Sequence, residues 1–153
     1  MRRTLKPLVM ALLVILFTYS CNESDDGGTQ IANSPILGIW NVASVKVSEA
    51  TLVQNSPSDE TITITFEEGG TYTGSTPANT FDGRFELEGT STLTWLEFTS
   101  TEVADTAFAG IFFEAVTAAI VPDSTFAQFR YSFDGQNMIL DFGDDGQMIL
   151  TRQ

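Results

Sequence analysis

The 153-residue chain contains no histidine. That removes Ser-His-Asp and Cys-His nucleophilic machinery, histidine-ligated zinc and the usual proton shuttle at neutral pH. A single cysteine, Cys21, leaves no partner for an internal disulfide. Basic residues are scarce, 7 Lys and Arg against 20 Asp and Glu. A nucleic-acid binder needs a cationic footprint, so that class is excluded, and electrostatic docking on anionic lipid fails for the same reason. The longest apolar run, Leu8 to Phe17, falls short of the ~18 residues that span a bilayer. No G-x-S-x-G elbow, P-loop or dinucleotide fingerprint occurs. The inventory therefore predicts a protein without catalytic residues, cofactor or metal.

What is present begins at the N-terminus. Arg2, Arg3 and Lys6 precede the apolar run, and Thr18-Tyr19-Ser20-Cys21 follows it. A basic start and a run of this length suit a secretory signal peptide. A lone cysteine directly after the run resembles the lipidation site of a bacterial lipoprotein, although Thr18 and Tyr19 stand where Leu and small residues are usual. The resemblance implies cleavage before Cys21 and acylation of that residue. Residues 1–20 are thus read as signal peptide. Removing them takes three of the seven basic residues and no acidic one, so four basic face twenty acidic residues, a net charge of −16. Such charge favours solubility and mutual repulsion on a crowded surface.

Residues 21–34, with Asn22-Glu23-Ser24-Asp25-Asp26-Gly27-Gly28, are polar and acidic and read as a flexible tether reaching about 20 Å. They resemble the acidic segment that sends some Gram-negative lipoproteins to the outer face of the outer membrane. The expected location is the outer membrane of a Gram-negative bacterium, held through lipid on Cys21, with surface or periplasmic exposure left open.

The domain is then residues 35–153, with twelve Phe, three Tyr and two Trp in the chain to build a core. Most of it alternates apolar and polar at period two. Ile62, Ile64 and Phe66 share one face of a strand whose other face is threonine; Glu67-Glu68-Gly69-Gly70 turns it back. Arg84 to Glu88, Leu93 to Phe98, Phe129 to Phe133, Met138 to Phe142 and Met148 to Leu150 continue the pattern. With Ile39 to Val47 and the return strand at Thr71, about eight strands are expected. In Ala104 to Ile120 the period changes. Phe108, Ile111, Phe112, Ala115, Val116, Ala119 and Ile120 line one face of a helix, with Thr101 or Asp105 as cap and Pro122 as stop. The expected fold is mainly β with one packed helix (α+β), a curved antiparallel sheet or partial barrel whose open side the helix covers.

Three residue groups merit a chemical reading. Glu86 and Glu88 share one strand face, which more often means solvent than a glycosidase pair. Asp141, Asp144 and Asp145 carry oxygens suited to calcium, but D-x-x-D-D-G is not the D-x-D-x-D-G loop, and a hairpin turn explains it. Trp95 lies in a strand with large apolar groups on both faces: Leu93, Trp95 and Glu97 on one, Thr94, Leu96 and Phe98 on the other. Either both faces are buried or Trp95 meets solvent or a ligand, and core packing is favoured.

Taken in order, several segments resemble the META domain (HslJ-like) family. Leu37-Gly38-Ile39-Trp40 is similar to its L-x-G-x-W opening with a shift of one. Gly74 to Phe85, with Asn79, Phe81, Gly83 and Phe85, resembles its G-x-x-x-C-N-x-[FY]-x-G-x-[YF] signature. Ser100-Thr101-Glu102-Val103-Ala104 is similar to the S-T-x-x-A before its helix, and Tyr131 to Leu140 to its ending. The signature cysteine is Ala78 here, and the cysteine frequent at the helix start is Asp105, so any covalent tie between those regions is missing. The resemblance implies a small envelope protein without established catalysis, some relatives being linked to stress or drug tolerance. Its partner would be an envelope protein. Gly38 and Trp40 ahead of eight strands also resemble lipocalins, which would imply a barrel enclosing a small apolar ligand.

Overall fold

The computed structural model describes residues 31–47 and 52–153. The expected signal peptide, Cys21 and the expected tether up to residue 30 lie outside the described residues.

Period-two alternation becomes nine strands among the described residues: β1 (Gly38–Lys46), β2 (Gln54–Asn55), β3 (Thr63–Phe66), β4 (Thr71–Ser75), β5 (Thr80–Glu88), β6 (Thr92–Ser100), then helix α1 (Ala107–Ala118), and β7 (Ala127–Asp134), β8 (Asn137–Phe142) and β9 (Gly146–Arg152). From β3 onward each strand pairs antiparallel with the next. The two ends then meet. β1 pairs with β9 from Trp40↔Arg152 to Lys46↔Gln147. Its other edge serves β3 through Gly38–Asn41 and the two-residue β2 through Ser44 and Val45. The result is a closed eight-stranded barrel with β2 as an annex, which corrects the expected open sheet or partial barrel. Closure removes both sheet edges that an open sheet would leave exposed.

Two bulges shape the barrel. β1 skips Ala43 between Val42↔Leu150 and Ser44↔Ile149, so Trp40 and Val42 before it and Val45 after it are all buried. β6 skips Leu96 between Trp95↔Phe85 and Glu97↔Arg84. The phase of the strand reverses there. Leu93 and Trp95 are buried ahead of the bulge, and beyond it Phe98 packs against the core while Glu97 is exposed. The expected grouping of Trp95 with Glu97 on one face is therefore wrong.

Side chains fill the interior. Trp40, Phe66, Tyr72, Phe85, Trp95, Phe129, Met138, Leu140, Met148 and Leu150 are all at most 2% exposed. Trp95 stacks on Tyr72 with ring centroids 4.5 Å apart, and Phe66 meets Phe85 edge-on at 5.1 Å. Gly83 exists for the same crowding, because a Cβ there would overlap the Glu97 carbonyl oxygen and the Tyr72 ring. Burial pushes the Tyr72 phenol far above its ordinary pKa, aided by the nearby charges of Asp82 and Glu97, and its hydroxyl donates to the Glu97 carbonyl at 2.5 Å.

Helix α1 closes one end of the barrel and does not cover a side. Phe108, Ala109, Phe112, Ala115 and Val116 are buried, and Phe112 packs against Phe81 of β5 at 5.2 Å. The helix is shorter than the 104–120 expected. Ile120 lies beyond it, 43% exposed, in a bridge to Ala127. The cap is neither Thr101 nor Asp105 but Thr106, whose Oγ1 accepts from the Ala109 N–H at 3.2 Å.

The opposite end is closed by the chain ahead of β1. Ile36 is fully buried and its carbonyl accepts the Trp40 indole N–H at 2.7 Å. Arg152 lies 4.4 Å over the Trp40 ring and donates to the carbonyls of Leu37 (3.0 Å) and Pro35. Ile31 packs against the core and Ser34 N–H bonds the Ile31 carbonyl at 2.9 Å. Of residues 31–34, expected as the end of the tether, Ile31 packs against the core and Ser34 is half-buried, while Ala32 and Asn33 are exposed.

Candidate functional site

The carboxylates singled out in the sequence do not converge. Glu86 and Glu88 are exposed on the outer face of β5. Asp141 accepts from the Gln147 side chain at 2.9 Å, Asp145 pairs with Lys46 at 2.7 Å, and Asp144 is exposed in the β8–β9 turn. Among the described residues, no group of three His, Cys, Asp or Glu side chains is arranged to hold a metal ion.

What the fold does assemble is a polar latch at the α1 end of the barrel. Asn79, 4% exposed, sits in the turn between β4 and β5 and fills its whole hydrogen-bonding capacity. Its Nδ2 donates to the Val103 carbonyl at 2.9 Å and the Asp105 carboxylate at 2.8 Å. Its Oδ1 accepts from Thr101 Oγ1 at 2.9 Å and the Val103 N–H at 2.8 Å. Buried Thr76 also donates to Asp105, whose other oxygen accepts the Thr106 N–H at 2.8 Å. Desolvation works to raise the Asp105 pKa. Hydrogen bonds from Thr76, Asn79 and the backbones of Thr106 and Ala78 outweigh it and hold the carboxyl below its ordinary value. The latch fixes residues 101–106 and so aims α1 across the barrel. Sequence reasoning passed over Thr76, Thr106 and the role of Asn79; the signal was a short polar run ahead of a strand, which also reads as turn filler.

Two recesses flank the core, the first lined by the hydroxyls of Ser100, Thr117 and Thr125 as well as by apolar groups, the second mainly apolar. One, about 340 Å³, opens between β6 and α1, with Trp95 and Phe98 on one wall, Phe113, Val116 and Ile120 on the other, and Ala127 at the start of β7. The other, about 580 Å³, lies at the opposite end between residues 32–35, the β5–β6 turn and Tyr131–Phe133. Phe133 is 40% exposed there. Burial raises the Tyr131 pKa.

The META domain profile matches residues 35–153 of the chain. The chain belongs to the META domain family. The two positions where the family's cysteines are missing, Ala78 and Asp105, are joined here by a hydrogen bond from the Ala78 backbone to the Asp105 carboxylate. No curated protein matches the chain. A solved structure similar to it is a lipocalin-like protein from Bacteroides uniformis, at 14% identity and a TM-score of 0.48, covering 77% of this chain and 98% of that one.

Proposed function

We propose that this META domain is a non-enzymatic, lipid-anchored module of the cell envelope that acts through protein contacts in an accessory or stress-protective role. The observation that carries the reading is the filled barrel. Its axis is packed with Trp40, Tyr72, Trp95, Phe66, Phe85 and Phe129, so the interior serves stability. The carboxylates best suited to chemistry are spread over the outer surface or engaged by Gln147 and Lys46. The same packing counts against a lipocalin-like carrier holding an apolar ligand inside the barrel.

Anchoring rests on Cys21, the lone cysteine after a ten-residue apolar run. The described chain begins at Ile31, on the barrel end opposite α1. Cys21 stands ten positions ahead of Ile31, so a lipid on Cys21 would hold that end toward the outer membrane and present α1 and the latch away from it. Fractionation of cells carrying Cys21→Ser tests the anchor. The expected result is uncleaved precursor or a soluble protein. A variant that is processed and remains membrane-bound as before would remove the lipoprotein reading.

A further inference from the structure

β6 and β7 pair only from Thr92↔Arg130 to Trp95↔Ala127. β6 then runs on to Ser100 with β5 on one edge and no strand on the other. The barrel thus splays at its α1 end, and a stretch of open strand edge faces the cleft between β6 and α1.

Hydrogen-bond parity decides which groups this edge presents. The Thr101 N–H donates to the Thr80 carbonyl at 3.0 Å, and Ser100 stands opposite Phe81. Bonded and non-bonded residues alternate along an antiparallel pair. Ser100 and, two residues earlier, Phe98 therefore direct N–H and C=O away from β5 and toward the cleft. Among the described residues no strand or loop backbone pairs with these four groups. The bulge at Leu96 sets the side chains to match. Phe98 and Ser100 are half-buried and line the cleft, while Glu97 and Thr99 are exposed.

Unpaired edges are templates for a further strand unless proline, lysine or an inward charge blunts them. Leu96 to Ser100 contains no proline or lysine, and its one charge, Glu97, points outward. The cleft offers what an added strand needs, hydroxyls at Ser100 and Thr117 and an apolar floor at Phe98 and Phe113. No lysine or arginine lines it, and Glu97, Glu102 and, one turn ahead of Thr117, Glu114 are exposed around it. The Arg84 that lies 3.9 Å from Glu97 is on the β5 side. A second copy of this chain, with 7 Lys and Arg against 20 Asp and Glu, would bring like charge, so a cationic partner is favoured.

We propose that the open edge of β6 takes up an extended segment of a partner protein as an added antiparallel strand, with an apolar side chain opposite Phe98 and Lys or Arg opposite Glu97 and Thr99. The edge is then the contact surface of the module proposed above, so the assignment rests on that reading and not on lipidation at Cys21.

The probe is acetyl-Lys-Val-Lys-Val-Lys-amide, whose alternation puts valine over the cleft and lysine outside. Titrated into the ¹⁵N-labelled full chain, it should give saturable amide shifts at residues 96–100. At ten times its Kd, hydrogen exchange at the Phe98 and Ser100 amides should slow about tenfold, because only the free fraction exchanges. In the antiparallel register the valine N–H groups face β6 and the lysine N–H groups face solvent. Methylating the valine nitrogens should therefore weaken binding about tenfold or more, and methylating the lysine nitrogens should change it less than about twofold. Glu97→Gln should lower the affinity about two- to fivefold, and a peptide with glutamate in place of lysine should not bind saturably. No saturable binding, equal loss on methylating either set of nitrogens, or unchanged exchange at Phe98 and Ser100 would each overturn the proposal. Saturable shifts confined to another face would overturn it while leaving the protein-contact reading in place. Edge signals that shift with chain concentration alone would overturn it in favour of a second copy.

Discussion

Asn79→Ala removes four hydrogen bonds at once, to Thr101, to both backbone groups of Val103 and to Asp105. At a net ~0.5–1.5 kcal/mol each, their sum spans about 2–6 kcal/mol. Thr101 and Val103 are exposed, so water takes up part of what they lose, which points to the lower end, about 2–3 kcal/mol. Urea unfolding measures this directly. With m of ~1–3 kcal/mol/M for a domain of this size, the midpoint should fall by about 1–2 M with m unchanged. The loss should also couple to Asp105. Asn79→Ala combined with Asp105→Ala should cost less than the two added together, by about 1 kcal/mol, because both cut one network. A single-variant loss below ~0.5 kcal/mol, or strict additivity, would refute the latch as the element that fixes α1.

Phe112 is fully buried against Phe81 and Phe113, so Phe112→Ala should cost ~3–5 kcal/mol in the same assay; a loss below ~1 kcal/mol would undo the helix as the barrel's end cap. Gly110 is exposed on α1 with open space where a Cβ would stand, so Gly110→Ala should raise stability by about 0.5–1 kcal/mol, and a decrease would mean the helix surface is engaged there. Asp105 has its pKa lowered on folding, so its contribution is complete above about pH 4 and is lost as pH falls through the depressed value. The stability difference between wild type and Asp105→Asn should therefore shrink with acid below about pH 4; a difference constant with pH would contradict the hydrogen-bonded carboxylate.

Much of this fold was legible in the chain. The strand at Ile62 to Phe66, the helix around Phe108 to Val116 and the turns at Gly70 and Gly135 follow from periodicity and turn chemistry. Barrel closure was not, because the β1–β9 ladder joins residues over a hundred positions apart and leaves no local trace. The bulges at Ala43 and Leu96 were equally hidden. A bulge shifts the period by one residue, and the two-faced apolar character of Leu93 to Phe98 was its only sign. That ambiguity bears on the candidate cleft, since the bulge is what places Phe98 beside Trp95. The latch escaped notice because Thr76, Asn79 and Asp105 acquire meaning only when the 76–79 turn and the 101–106 segment meet in space. Glu86, Glu88 and the aspartates of the β8–β9 turn, read from the sequence as solvent-facing or turn residues, are surface groups in the fold.

Anchoring of this protein in the envelope turns on the chemical state of one atom, the Cys21 Sγ. Intact mass and N-terminal peptide analysis of the protein extracted from membranes reads that state. A lipid-anchored protein has a mature chain beginning at residue 21 and carrying acyl mass on Cys21. A chain that begins elsewhere, or one with an unmodified Cys21 thiol, would contradict it.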